Sequence, residues 1–228
     1  MKHAPLTTGK RFVRGALTLL ALGGATMAVW PVGQTAYTRW NQQQLQREWQ
    51  RAAAQPVSAQ PVSATKSLSA QQSSTRFRKT ARPHIEPLPP TRLIIPDIGV
   101  DAVVVQGEDD VALERGPGHA PFTSLPGQSG NCVIAAHRNI YGSYFYRVDE
   151  LLPGAKITLR TPHHSYKYQV IQMSQVADTD AATVKALPPL SSPPILTIYT
   201  CTLPRSTNRI VITSQLMTKE QEAGEDGQ

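Results

Sequence analysis

The stretch LTIYTCTLPRSTNRIVI, Leu196 to Ile212, decides how the chain is read. Val, Ile, Thr and Tyr dominate both of its arms, the composition of β-strands. A strand ends on Cys201, a short Pro-containing loop follows, and a second strand opens with Arg209. This places a thiol and a guanidinium at neighbouring strand ends, where they can share one groove. A histidine supplied from elsewhere would complete a cysteine-nucleophile site.

Working outward, the first requirement is a domain to hold that hairpin. Arg92–Ile95 and Asp101–Gln106 read as short strands separated by the turn Pro96-Asp97-Ile98-Gly99. Glu108, Asp109 and Asp110 precede Val111–Arg115, and Gly116 follows, the signature of a short capped helix. Capping accounts for this acidic trio without a metal. Asn131–Ala136 is a strand running into His137, and Lys156–Arg160 and Tyr166–Met173 form a hairpin around Thr161–Ser165. His119 falls in a loop and is expected to be exposed. His163 and His164 sit at a hairpin tip, a poor geometry for a metal. Ser174–Pro194 reads as irregular, with a short helix around Ala181–Ala186. About eight short strands, with helices only as inserts, indicate an all-β barrel or sandwich.

Charge is divided unevenly along the 228 residues. Residues 1–90 hold 12 Lys and Arg against 2 Asp and Glu, whereas residues 91–228 hold 11 against 14. The net charge of +7 therefore arises outside the folded domain. A nucleic-acid-binding domain carries its own basic face, so that class of function is set aside. Two cysteines give no disulfide framework. Strand alternation turns Cys132 away from the face of His137, making it an apolar filler and not a partner for Cys201.

The N-terminal arm predicts a membrane anchor. Lys10, Arg11 and Arg14 precede an uncharged run, and residues 15–37 have the length of a transmembrane helix. Trp30, Tyr37 and Trp40 would be interfacial aromatics, and the positive-inside rule puts residues 1–14 in the cytoplasm. A cleaved signal peptide is the alternative. Residues 38–54 read as a juxtamembrane helix, 55–90 as a flexible Pro/Ser/Gln/Ala linker with a near repeat of QPVSA, and 219–228 as a disordered acidic tail. The resulting expectation is a single-pass cell-membrane protein whose domain, residues 91–218, is extracytoplasmic. A free thiol retained there risks oxidation, which suggests use.

Three segments then carry a resemblance. TIYTC (197–201) is similar to the TLxTC motif of bacterial sortases, VIAAHR (133–138) resembles their histidine segment, and NRIVI (208–212) resembles their arginine strand. RGPGHAPFTSLPGQSGN (115–131) and YRVDELLPG (146–154) look most like sortase classes D and E. Two departures stand out: Ala136 where Gly often precedes the histidine, and GHAPFTS where class E relatives have GHYPGTA.

The resemblance covers about residues 92–216 and implies an eight-stranded sortase-type β-barrel. It implies a cysteine transpeptidase in which Cys201 attacks the Thr–Gly carbonyl of an LPXTG-like sorting signal. His137 would act as acid and then base, and Arg209 would orient the peptide or stabilise the oxyanion. The implied partners are surface proteins or pilins bearing that signal, and an amine acceptor such as a peptidoglycan precursor or a pilin lysine. No cofactor is implied. The rival readings are a secreted cysteine peptidase or L,D-transpeptidase, and a non-enzymatic, membrane-tethered β-domain for surface assembly.

Overall fold

The computed structural model describes residues 8–55, 87–177, 193–203 and 207–218, and for 8–19 and 21–29 the backbone alone. Eight strands close into a barrel: β1 (Thr91–Ile95), β2 (Val100–Gln106), β3 (Gly118–His119), β4 (Asn131–Ala135), β5 (Lys156–Arg160), β6 (Ser165–Ala177), β7 (Ile195–Cys201) and β8 (Asn208–Leu216). Around the barrel the order is β1-β2-β3-β4-β7-β8-β6-β5, with β1 pairing β5 to close it. The β2–β3 and β4–β7 pairs are parallel and the others antiparallel. The eight-stranded barrel with short helical inserts is as expected.

Period-2 alternation explains how the strands divide their side chains. Leu93, Ile95, Ile134, Leu159, Tyr168, Leu196, Ile198 and Ile212 are fully buried within one apolar core. Every second residue of β4, β7 and β8 faces the other way, toward a smaller apolar group of Ala120, Val133 and Val211. The helical insert α2 (Asp110–Arg115) is capped as its sequence implies, the Asp109 carboxylate accepting from the Ala112 N–H at 2.9 Å.

Two elements differ from expectation. β3 has only two residues, too few for any alternation signal, and it converts the expected loop at His119 into barrel wall. A Cβ on Gly118 would stand 2.0 Å from the Gly107 carbonyl oxygen, so this close strand approach requires glycine. β6 runs on to Ala177, beyond the expected end at Met173, because β8 pairs with it to that point across a bulge between Val170 and Gln172. The helix expected near Ala181–Ala186, most of the linker, the acidic tail and residues 1–7 lie outside the described residues.

The largest correction concerns the N-terminus. Residues Thr8–Ala54 form one continuous helix, α1, with Pro31 inside it. Among the described residues, however, no helix is long and apolar enough to cross a membrane. This overturns the transmembrane helix expected over residues 15–37. It also overturns the localisation built on that helix: cell membrane, single-pass, with a cytoplasmic N-terminus and an extracytoplasmic domain. The C-terminal part of the 15–37 run carries Pro31, Gly33, Gln34 and Thr35, and from Thr38 onward α1 packs on the folded domain.

Thr38, Asn41, Gln42 and Trp49 are buried there. The Gln42 side chain accepts from the Val103 N–H at 2.8 Å and donates to the carbonyls of Val103 and Arg115, each at 3.0 Å. It thereby satisfies backbone groups of β2 that would otherwise need a strand partner. Gly116 leaves room for it, since a Cβ there would lie 2.2 Å from Gln42 Nε2. Trp49 donates from its indole to the Arg160 carbonyl at 3.2 Å, with the Arg92 and Arg160 guanidinium carbons 5.9 and 5.6 Å from its ring. Cation–π contacts at that range add to the docking.

Candidate active site

The outward faces of β4, β7 and β8 meet at one end of the barrel. On β7, Leu196, Ile198 and Thr200 point inward, which leaves Tyr199 and Cys201 facing outward. Continuing β4 by the same alternation puts His137 on the face of Val133 and Ala135, while Cys132 joins the core. β8 contributes Arg209 and Val211. The three residues singled out in the sequence, His137, Cys201 and Arg209, line a single cavity of about 180 Å³. Glu108, Asp110 and Tyr199 complete its polar wall.

Register fixes the thiol and the guanidinium together. Cys201 and Arg209 are directly opposed Cα partners on β7 and β8. The Arg209 guanidinium donates a hydrogen bond to Cys201 Sγ. Beyond the pair, the Thr202 N–H and hydroxyl both donate to the Asn208 carbonyl at 3.1 Å, closing the hairpin loop. The guanidinium thus sets a fixed hydrogen-bond donor beside the sulfur. Cys201 is partly exposed, whereas Cys132 is buried and its thiol is pushed up to about 12 by desolvation.

His137 is held by its neighbours. The buried Thr200 hydroxyl donates to the Ala136 carbonyl at 2.7 Å, tying the β7 residue before the thiol to the residue before the imidazole. Arg138, also buried, pairs with Asp149 at 2.7 Å and donates to the Tyr146 carbonyl at 3.3 Å. The imidazole is half-buried. Burial depresses its pKa below the ordinary histidine value, and the carboxylates of Asp110 and Glu114 act in the opposite direction. A base that is neutral near physiological pH and lines the same cavity as a thiol can carry protons to and from a leaving or entering amine.

His119 is elsewhere. It is 1% exposed, and its Nε2 lies 3.0 Å from the Ser124 carbonyl and 3.1 Å from the Thr123 hydroxyl. It braces the loop after β3. Three polar wall residues escaped the sequence reading: Tyr199, whose hydroxyl donates to Glu108 at 2.7 Å, Glu108 itself, and Asp110. Counting back two positions from Cys201 finds Tyr199 on the same face; Glu108 carries no comparable local signal.

A sortase domain family matches residues 93–217, more than half of the chain, and the chain belongs to that family. Sortase D of Bacillus subtilis (strain 168) is 28% identical over 95 residues, 42% of this chain and 46% of that protein. The chain spans about half the length of the curated relatives it matches. Among solved structures, a Clostridium perfringens sortase D5 transpeptidase superposes with a TM-score of 0.51 at 28% identity, covering 57% of this chain and 79% of that one. A sortase E variant from Streptomyces avermitilis gives 0.52 at 26%, covering 57% and 89%. Sortases A and C also match at 26%, so no one class dominates.

Proposed function

We propose that the protein is a sortase-type cysteine transpeptidase that cleaves an LPXTG-like sorting signal between Thr and Gly. The observation that carries this reading is the common face: alternation along β4, β7 and β8 brings His137, Cys201 and Arg209 to one cavity, with Arg209 bonded to the sulfur.

In the first half-reaction Cys201 passes its thiol proton to the neutral His137 imidazole as its sulfur attacks the scissile carbonyl. The tetrahedral intermediate collapses to a thioester, and the departing amine takes a proton from the His137 imidazolium. In the second, an acceptor amine attacks the thioester and loses its proton to His137, and the thiolate leaves. Arg209 cannot act as a base, because it stays protonated. It donates to the developing oxyanion or to a substrate carbonyl, where a preorganised donor is worth most. The acceptor is a primary amine of a cell-wall precursor or a pilin lysine, and the donor a surface protein or pilin. Within the family we assign the chain to the class D and E group, supported by RGPGHAPFTSLPGQSGN and YRVDELLPG and by the D and E relatives above.

The test is transfer from LPXTG-like peptides to triglycine by the full chain. Cys201→Ala should lose turnover by roughly a thousandfold or more, as removal of a covalent nucleophile does, with the fold intact. Transfer retained in that variant would refute the proposal. Hydrolysis alone, unchanged by added amine, would point to a peptidase.

A further inference from the structure

The family match begins at residue 93, which leaves α1 outside it, yet α1 reaches the support of His137. The loop after β4 carries Tyr141, whose ring lies 5.6 Å from the His137 ring at 35°. Tyr141 holds φ +46° and Ser143 φ +49°, a left-handed backbone that side-chain-bearing residues seldom adopt unless their surroundings impose it. The surroundings here are α2 and α1. Tyr141 shares a small cleft with Pro31, Gln34 and Thr35 of α1, and the Glu114 carboxylate of α2 holds its phenol above the ordinary range. Thr38 of α1 donates to the Glu114 carbonyl at 3.0 Å. Gly142, at φ +88°, lets the loop run close to α1, since a Cβ there would lie 3.1 Å from Thr38 Cγ2.

We propose that Tyr141 is a positioning residue for His137, and that α1 holds its loop in place through Gln34 and Thr38. This rests on the acid–base role proposed for His137. The ring of Tyr141 stands against one side of the imidazole and limits its rotation, and the cleft it shares with α1 fixes where that ring stands. The helix is thereby part of the catalytic unit. The charged and titratable groups around the imidazole are Glu108, Asp110 and Glu114 on the α2 side, Tyr199 and Cys201 on β7, Arg209 on β8 and Tyr141 on its own loop.

The experiment compares Tyr141→Ala, Tyr141→Phe and Gln34→Ala with the parent full chain. One readout is the NMR titration of the His137 ring proton, assigned with His137→Gln. The other is kcat and KM for peptide transfer. Uncovering the imidazole lessens its desolvation, so its titration midpoint should rise toward the ordinary histidine value in Tyr141→Ala. Tyr141→Phe should be intermediate, and Gln34→Ala should move less in the same direction.

Misplacing the acid–base group should lower kcat by about tenfold in Tyr141→Ala while KM stays within about twofold. An unchanged His137 midpoint in all three variants, with any kcat loss tracking the melting temperature, would overturn the proposal. A shift in the Tyr141 variants but none in Gln34→Ala would overturn the part played by α1. The titration needs no turnover, so a parent inactive toward sorting peptides would count against the transpeptidase reading and leave this one to be judged by the midpoint.

Discussion

Two stretches of barrel wall each carry a free cysteine, and their environments differ in almost every respect. On β4, Cys132 lies inside the wall, 1% exposed, with its thiol pushed up to about 12. On β7, Cys201 sits at a strand end, partly exposed, opposite Arg209 and across the cavity from His137. Residue type is identical; side of the strand and distance from its end make the difference. Reactivity in this fold is set by where the pleat aims a side chain and by which charges meet it there.

The widest gap between the two regions should appear in thiol labelling. With iodoacetamide and peptide mapping of the native chain, Cys201 should react at least about a hundredfold faster than Cys132, whose labelling requires local opening of the barrel. Comparable rates would show that burial does not separate the two sites.

A second way to break the comparison is to keep the charge beside Cys201 and remove its geometry. Arg209→Lys should reduce transfer by roughly a hundredfold, the scale of losing one oxyanion donor, because an ammonium cannot reproduce the planar fork. An exposed control, Arg147→Lys, should change little. Equal activity in the two variants would remove Arg209 from the mechanism.

The smallest expected effect concerns pH. Burial holds both His119 and His137 below the ordinary histidine value, so the unfolded chain binds protons more readily than the folded one as pH falls through that value. Stability should therefore be fully present above about pH 6.5 and decline below it, toward the folded-state values. His137→Gln should flatten part of that decline. A melting temperature that is the same at pH 7.5 and pH 5.5 would contradict the assignment of both rings as buried and neutral.

The sequence reading reached furthest where the signal was local and periodic. The TIYTC and NRIVI arms, their alternation and the inward turn of Cys132 follow from a period of two, and the register of β7 with β8 follows from their hairpin. What escaped it depended on contacts between distant residues. Gln42 meets Val103 across 61 positions, and nothing in the pattern of residues 38–54 distinguishes a stalk from a helix docked on β2. β3 is shorter than any periodic signal, so His119 read as loop. The uncharged run at residues 15–37 illustrates the converse hazard, since length and lack of charge alone suggested a membrane span that the described helix does not bear out.

The central claim is that Cys201 forms the covalent intermediate. Mass spectrometry of the full chain mixed with an LPXTG-like peptide and no amine acceptor tests it most directly. The expected result is a mass increase equal to the acyl fragment ending in Thr, mapped to Cys201, discharged by triglycine or hydroxylamine and absent in Cys201→Ala. Transfer to triglycine with no adduct on Cys201, or an adduct that persists in Cys201→Ala, would contradict it.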